Sequence, residues 1–442
     1  MGKVILKAED LDGYLTHADK EIIQDMNRRF DKVLKRFALL SDQGRDQDRG
    51  RVTEELIGLY NELGHAMREI VAGEPRVHVY SFETPREVHG EVSRLIAKLR
   101  DARTEHPEFL YYTQRGYELL FNFAFASAAD RKKNHIVVKT PVTLPIQNYA
   151  VHKIPDVDDR IENSVMCVML RGALLPAMIM SKEIQEYSSH GYVTPFALFK
   201  ISRDDTKAES NMEYVLNLDL SYFDPEVLDG RDLFFADPMN ATGGSLVTVV
   251  KYLLDQGVKP RSIKFFNVIS VLKGALRIVR AVEGAEIYTL WMDPVLNTKA
   301  YILPGLGDAG DRINGHDNGE KPRNIIQLIA DYGATIVSLY REQVRKIEQT
   351  VLGGKAELLR SQVFSNLVDE DPRIDRLFQE LVYREEVLVL LAIEGKTRAR
   401  SNASDHDDWD AGELGVLLHG VGDLEAFVIG VHHDIEDHEI RP

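Results

Sequence analysis

The chain has 442 residues, 44% of them hydrophobic and 28% charged, a balance typical of a soluble protein with two or three domains. A formal net charge of −16 argues against a broad nucleic-acid-binding surface, and no apolar run approaches the roughly 20 residues that span a bilayer. The N-terminus lacks the regions of a signal peptide, and the single Cys167, in an apolar run, permits no internal disulfide. We therefore expect a cytoplasmic protein with a buried, inert thiol.

Residues 1–105 are predicted to form a mainly helical N-terminal extension. Apolar residues recur at helical spacing in 23–40 and again in 56–70, and "RVHVYSF" alternates as a short strand does. A third helix is predicted to start with Thr84 as its N-cap, Pro85 in the first turn and Glu87 closing a capping box. Nothing in this segment has catalytic spacing, so we expect it to pack on the rest of the chain or to mediate oligomerisation.

Residues 106–320 change to short apolar strands that alternate with helices. The segments "SVMCVML", "DLFFAD", "SIKFFNVIS" and "AEIYTLWM" are strand-like, and each is bounded by polar or glycine residues. The helix "GGSLVTVVKYLLDQG" lies between two of them. This alternation predicts an α/β domain with an open parallel sheet flanked by helices, in which ligands bind beyond the carboxyl ends of the strands.

Residues 321–442 are predicted to form a mainly helical C-terminal extension with an acidic tail. Residues 401–442 hold 11 Asp or Glu and one Arg. A metal site is conceivable there, on His432, His433, Asp434, Glu436, Asp437 and His438. Adjacent histidines are poor partners for one ion, so a solvated tail is the favoured interpretation, and no metal ligand is assigned to the protein.

The stretch "DPMNATGGS", residues 237–245, has the pattern of a phosphate-binding loop. It follows a strand and leads into a helix, so the backbone N–H groups of its second half lie at the positive end of the helix dipole. Its two glycines allow close approach of an anion, and the Thr and Ser beside them add hydroxyl donors. Asp237 has the same sign as a phosphate, but it can accept hydrogen bonds from sugar hydroxyls.

Two motifs resemble those of the uracil phosphoribosyltransferases, a type I phosphoribosyltransferase family. The stretch "DPMNATGGS" resembles the loop that binds 5-phosphoribosyl-1-diphosphate (PRPP), and "YILPGLGDAGDR", residues 301–312, resembles the uracil-binding segment. The segments "VMLRGALLP" and "FKISRDDTKAE" resemble the two arginine-bearing segments in the right order. The resemblance covers about residues 108–316 and leaves both extensions unexplained.

The resemblance implies a role for each matching residue. Arg171, Arg203, Asp237 and Asp308 would serve catalysis, with the two arginines meeting the diphosphate through charge-assisted bonds. Those that would bind PRPP are Asp237, Pro238, Met239, Asn240, Ala241, Thr242, Gly243, Gly244 and Ser245. Uracil would lie against Tyr301, Ile302, Gly307, Asp308 and Ala309, largely through backbone groups, which can match its acceptor, donor and acceptor edge.

The implied activity is the transfer of the phosphoribosyl group of PRPP to uracil, giving UMP and diphosphate in pyrimidine salvage. The resemblance also implies Mg²⁺ bound through the diphosphate of PRPP, and a homo-oligomer, dimeric or larger. No nucleic-acid or membrane partner is expected.

Three departures from the family pattern leave an alternative open, a catalytically silent protein that senses PRPP, uracil or UMP on the same fold. The family usually reads Arg-Ala-Gly-Leu where this chain has "RGAL", so Ala173 would be strained if that position needs a positive φ. Asn240 stands where the loop usually has an apolar residue. The chain also continues well beyond Arg312, where the family commonly ends.

Overall fold

The computed structural model describes residues 2–41, 46–126, 133–204 and 206–314, and the structural statements below concern these ranges. They all belong to one compact unit, Met1–Asn318. Within the described ranges, no helix has both the length and the apolar character needed to cross a membrane. The predictions for residues 321–442, including the histidine-rich tail, lie outside the described residues.

The described residues form short strands and helices in alternation through the second half of the unit. The strands are β1 (Lys3–Lys7), β2 (Val77–Val79), β3 (Lys133–Lys139), β4 (Tyr149–Pro155), β5 (Ser164–Leu170), β6 (Phe196–Arg203), β7 (Glu213–Tyr222), β8 (Asp232–Ala236), β9 (Met239–Asn240), β10 (Ser262–Val271), β11 (Ala285–Asp293), β12 (Val295–Leu296) and β13 (Ile302–Leu303). The helices are α1 (Ala8–Tyr14), α2 (His17–Ser41), α3 (Asp46–Ala72), α4 (Tyr80–Glu83), α5 (Arg86–Arg100), α6 (His106–Phe121), α7 (Asp158–Ile161), α8 (Leu174–Tyr187), α9 (Pro225–Leu228), α10 (Gly244–Asp255), α11 (Leu272–Ala281) and α12 (Ala309–Asn314).

Within the described ranges, nine strands form one sheet in the order β1-β7-β6-β5-β8-β10-β11-β2, with β9 also paired to β10. The strands from β6 across to β2 are parallel, whereas β7 and β1 are antiparallel additions at one edge. The predicted open parallel sheet is therefore confirmed, and its four predicted strands are β5, β8, β10 and β11. Every residue of β8 is buried, as expected of a central strand covered on both faces, and Cys167 in β5 is buried as predicted.

The N-terminal segment is joined to this sheet at both of its edges. Strand β1 pairs with β7 and β2 pairs with β11. The two predicted helical stripes form α2 and α3, which pack against each other. The division of the chain at residue 105 stays a prediction, since helices and strands on both sides of it share one sheet.

The predicted start of the third helix is wrong in detail. Helix α5 begins at Arg86 with Pro85 as its N-cap, and no side chain caps its first turn. The hydroxyl of Thr84 instead donates to the carbonyl of Tyr80 at 2.6 Å. The carbonyl of Tyr80 in the preceding short helix α4 therefore takes the hydroxyl that would have capped α5. A capping motif describes only the residues at the start of one helix, so it does not reveal this alternative partner.

Strands β3 and β4 form a separate antiparallel hairpin that the sequence pattern does not predict. Val137 faces Val151 across the two strands, and each is 62% exposed. Several further apolar side chains of the hairpin and its connecting turn are exposed, namely Ile136, Val138, Val142, Leu144, Ile146 and Tyr149.

Candidate active site

The stretch Asp237–Ser245 lies at the carboxyl end of β8 and leads through β9 into α10. Gly243 is the N-cap of α10 and has a φ of +74°, a conformation that L side chains rarely adopt. A Cβ atom on Gly243 would lie 2.9 Å from the Gly274 carbonyl oxygen, and one on Gly244 would lie 2.2 Å from the Tyr214 ring. The glycine pair is therefore required by packing within the protein, in addition to the anion approach that the sequence suggests.

Two polar side chains of this loop have partners inside the protein. Asn240 is buried, and its Nδ2 donates to the Ser270 hydroxyl on the neighbouring strand at 2.9 Å. The Thr242 hydroxyl accepts from the Gly244 N–H at 3.3 Å. Asn240, which stands where the family loop usually has an apolar residue, thus has a polar partner. The hydrogen bond offsets the free-energy cost of burying its amide.

Asp237 is held by backbone and side-chain hydrogen bonds at the end of β8. The Met239 N–H donates to its Oδ1 at 3.0 Å, and Asn267 Nδ2 donates to its backbone carbonyl at 2.8 Å. Burial raises the pKa of the Asp237 carboxyl to about 6; the nearby charge of Asp308 adds to this rise, while the Met239 hydrogen bond and Arg203 oppose it. Asp237 is therefore an acid whose ionisation is sensitive to any cation bound nearby.

Arg203 brings a positive charge to the same place from the end of β6. It shares one cleft with Asp237 and the phosphate loop, and the described residues lining this cleft are Met169, Arg203, Asp237, Met239, Asn240, Ala241, Thr242, Gly243, Gly244, Ser245, Leu246 and Asn267. The guanidinium of Arg203 lies 5.5 Å from the centre of the Tyr301 ring, within range of a cation–π interaction. Pro238 does not line the cleft; its carbonyl instead accepts from the N–H groups of Val268 and Ile269.

Arg171 lies in the loop between β5 and α8, just beyond a cis peptide bond with Leu170. Ala173 has a φ of −84°, so the expected strain at this position is wrong. A Cβ atom on Gly172 would lie 3.4 Å from the Gly310 Cα. The arginine loop thus contacts the 301–312 segment, although Arg171 is not among the described residues that line the cleft with Asp237.

The 301–312 segment begins in β13 and ends in α12. Tyr301 is half-exposed, Ile302 and Ala309 are buried, and Gly307 adopts a φ of +79°. The Asp308 Oδ1 accepts from the Asp311 N–H at 3.0 Å and so closes the first turn of α12. The charge of Asp308 contributes to the raised pKa of Asp237, although Asp308 is not among the described residues that line the cleft with Asp237.

Arg312 holds this segment in place. The sequence analysis includes Arg312 only as the last residue of the motif and gives it no role. Its guanidinium donates to the backbone carbonyls of Leu306 at 2.9 Å, Asp101 at 3.1 Å and Thr104 at 3.2 Å, and also to that of Leu99. Burial lowers the pKa of Arg312. The end of the segment is therefore held by the chain between α5 and α6.

A second set of hydrogen bonds, which the sequence analysis did not predict, holds the turn at Gly305. Asp293, buried at the end of β11, accepts from the Gly305 N–H at 3.0 Å and from Arg100 at 2.6 Å. His106 contacts the Ile313 carbonyl through Nε2 at 2.8 Å. Arg100 and Asp293 are 193 residues apart in sequence, and His106 and Ile313 are 207 apart. An acid at the end of an apolar strand was the one local signal.

Carboxylate oxygens that could help to hold a divalent cation lie at two places among the described residues. Asp237 offers hard carboxylate oxygens at the cleft, which suit Mg²⁺. Asp158, Glu162 and His190 form a separate cluster of possible ligands. Its members already bind each other, with His190 Nδ1 at 2.9 Å from Glu162 Oε1.

A parallel sheet with the loop of residues 237–245 at the carboxyl end of a central strand, beside Arg203, has the architecture of a type I phosphoribosyltransferase fold. The sequence model of the uracil phosphoribosyltransferase family matches residues 87–315. The chain therefore belongs to the uracil phosphoribosyltransferase family.

Relatives in this family match about half of the chain. The chain is 30% identical over 226 residues to the uracil phosphoribosyltransferase of Campylobacter concisus, covering 51% of this chain and 94% of the relative. It is 31% identical over 227 residues to that of Dictyoglomus thermophilum, covering 51% and 96%. Among solved structures, Mycobacterium tuberculosis orotate phosphoribosyltransferase in complex with PRPP aligns with a TM-score of 0.26 and 14% identity, over 49% of this chain and 95% of that one.

Proposed function

We propose that the protein transfers the 5-phosphoribosyl group of PRPP to uracil, giving UMP and diphosphate in pyrimidine salvage. The observation that carries this proposal is the meeting of three elements at one end of the sheet. The phosphate loop and Arg203 line one cleft, and Arg203 lies against Tyr301 of the 301–312 segment. Each element matches a different part of the two substrates.

The loop is proposed to bind the phosphoribosyl part of PRPP. Because α10 begins at Gly244, the N–H groups of its first turn have no intrahelical acceptor and suit a 5′-phosphate. The loop residues proposed to form the PRPP site, by contact or by shaping the loop, are Asp237, Pro238, Met239, Asn240, Ala241, Thr242, Gly243, Gly244 and Ser245. The Asp237 carboxylate would accept from the ribose hydroxyls.

The base and the diphosphate are proposed to lie on either side of the ribose. Tyr301, Ile302, Gly307, Asp308 and Ala309 would form the uracil pocket. Arg203 and Arg171 would neutralise charge on the departing diphosphate, which is the main electrostatic demand of the reaction. Buried Asn240 and Pro238 would act by shaping the loop, since their side chain and carbonyl are bonded inside the protein.

No protein nucleophile is required for this reaction. The N1 atom of uracil forms a bond to the anomeric carbon as the bond from that carbon to the diphosphate oxygen breaks, and the N1 proton passes to the departing diphosphate or to solvent. The protein contributes by holding the two reactants in contact and excluding competing water. Mg²⁺, carried by the diphosphate of PRPP, supplies positive charge to the leaving group. Asp237 and Asp308 would face that charge, which favours the ionised form of Asp237.

A catalytically silent sensor is the alternative. One of the arguments for it was backbone strain at Ala173, and the structure has no such strain there. Strain at Ala173 would have disturbed the diphosphate loop, but the φ of −84° is an ordinary right-handed value. Asn240 likewise has a hydrogen-bond partner in Ser270.

We also propose that the protein is a cytoplasmic homo-oligomer. The β3–β4 hairpin exposes apolar side chains on a two-stranded ribbon, including the facing pair Val137 and Val151. The same hairpin of a second copy would bury this surface, because in a two-fold interface the same patch of each copy packs against the other.

An activity assay tests the proposed function. Purified protein is incubated with uracil, PRPP and Mg²⁺, and UMP and diphosphate are quantified together. We expect equal amounts of both products, and no UMP with the Asp237→Asn variant. Binding of PRPP and uracil without UMP formation would support the sensor instead.

A further inference from the structure

The phosphate loop rests directly on the first turns of α11. A Cβ atom on Gly274 would lie 2.4 Å from the Ala241 carbonyl oxygen, and one on Gly243 would lie 2.9 Å from the Gly274 carbonyl oxygen. No side chain fits between the two backbones at this point. The orientation of the loop peptides is therefore tied to the position of α11.

Arg277 of α11 sets the direction of one loop peptide. Its side chain is fully buried, and Nη1 donates to the Thr242 carbonyl at 3.4 Å. The carbonyl and the N–H of a trans peptide point in opposite directions. A Thr242 carbonyl turned towards Arg277 therefore turns the Gly243 N–H away from α11, on the side where the anion is proposed to bind.

The Arg277 guanidinium is held in turn by the N-terminal segment. Its Nε and Nη2 donate to Asp12 Oδ1 at 3.0 and 2.7 Å. Its Nη1 also lies 2.8 Å from Glu209 Oε1 as an ion pair. Asp12 belongs to α1, which lies outside the family match of residues 87–315.

We propose that Asp12 is a positioning residue for the phosphate loop. It fixes the Arg277 guanidinium, which fixes the Thr242–Gly243 peptide and so presents the Gly243 N–H to the ligand. The affinity for PRPP then depends on a segment outside the family's own region. The identity of the ligand rests on the proposed function, whereas the ordering of the loop does not.

The same helix offers a matched control one turn further on. Arg280 Nε and Nη2 donate to Asp19 at 3.0 and 3.1 Å, and Arg280 also pairs with Glu74. This pair docks the N-terminal segment on α11 as the Asp12 pair does, but its described partners include no residue of the loop. Asp19→Asn therefore reports general undocking, and Glu9→Gln on the exposed face of α1 reports the loss of one negative charge.

The test compares wild type with Asp12→Asn, Asp19→Asn and Glu9→Gln by two measurements on the full chain. Hydrogen exchange of the peptide spanning residues 241–246 reports loop order without any ligand, and calorimetry reports PRPP affinity. In Asp12→Asn we expect exchange to quicken and PRPP affinity to fall, each by about tenfold, because the bonds from Arg277 to Oδ1 lose the negative charge that strengthens them. Both controls should stay within about twofold of wild type.

Three results would overturn the proposal or separate it from the proposed function. Unchanged exchange and affinity in Asp12→Asn, or an equal change in Asp19→Asn, would remove Asp12 as a positioning residue. A wild type that binds no PRPP would contradict the proposed function. The exchange measurement would still decide the role of Asp12. If Asp12→Asn does not fold, Arg277→Lys takes its place, because one ammonium cannot reproduce the guanidinium's several bonds, and the same quickened exchange is expected.

Discussion

Asp237→Asn is predicted to stabilise the protein while abolishing PRPP binding. Burial first, and the charge of Asp308 second, raise the pKa of Asp237 from an ordinary 3.8 to about 6. Asparagine is neutral at every pH and keeps an oxygen that can accept from the Met239 N–H. The variant therefore relieves the cost of a buried charge and leaves the local hydrogen bond in place.

The size and the pH dependence of this gain follow from the two pKa values. A folded-state pKa raised above the unfolded value means that stability is fully present below about pH 3.8 and is lost as the pH rises through about 6. Relative to low pH, ionisation of Asp237 should lower the free energy of unfolding of the wild type by about 3 kcal/mol at pH 7.5 and by about 1 kcal/mol at pH 4.5. The advantage of Asp237→Asn should shrink accordingly as the pH falls.

Urea unfolding of both proteins at pH 7.5 and pH 4.5 checks this prediction. Asp255→Asn, at the exposed end of α10, is the matched control and should change stability by less than about 0.5 kcal/mol. PRPP affinity is measured on the same samples by calorimetry at pH 7.5. A variant that is no more stable than wild type at pH 7.5, or equally more stable at both pH values, would refute the reasoning about Asp237.

Three further outcomes are expected. Gly243→Val should weaken PRPP binding and lower the melting temperature, because a φ of +74° and the Gly274 carbonyl at 2.9 Å exclude its side chain; unchanged calorimetric affinity would remove the loop from the account. Val137→Asp combined with Val151→Asp should halve the mass measured by light scattering or reduce it further, since each copy would then bring two negative charges into the proposed apolar interface; an unchanged oligomer would show that the hairpin is not the interface. Uracil or UMP should raise the melting temperature, whereas cytosine and purines should not, because a ligand at 100 times its Kd adds about 2.7 kcal/mol and a mismatched base leaves a buried group unpaired at a cost of about 1–3 kcal/mol; equal shifts with cytosine would contradict the assigned base.

The centre of the sheet could be predicted from the sequence because its signal is local. Strands β5, β8, β10 and β11 are mostly apolar, as expected of strands covered on both faces. The loop from Asp237 is also a continuous segment between a strand and a helix. Such features need no knowledge of distant parts of the chain.

The edge strand β2 lies within the predicted strand "RVHVYSF", whereas the other edge, the hairpin and the supports of the site were not predicted, because they depend on distant partners. Strand β1 is five residues long and half-exposed, and it is defined by its pairing with β7 more than two hundred residues away. The hairpin β3–β4 carries apolar side chains that face solvent, which no burial pattern marks. Arg277 lies on α11 between Lys273 and Arg280, so nothing local distinguished it from the other charged residues of the helix, and its partner Asp12 was not identifiable.

The departures from the family pattern show the same limit. Whether Ala173 is strained depends on a backbone angle, and whether Asn240 is tolerated depends on Ser270 of a neighbouring strand. Both questions concern what surrounds the residue rather than the residue itself.

The most direct test of the central claim is the electron density of UMP in crystals of the full chain. The account predicts the 5′-phosphate against the N–H groups of residues 242–245, the ribose hydroxyls at the Asp237 carboxylate, and the uracil edge against the backbone of residues 302–309. Density for UMP in any other place, or a uracil ring turned away from the 301–312 segment, would contradict the account.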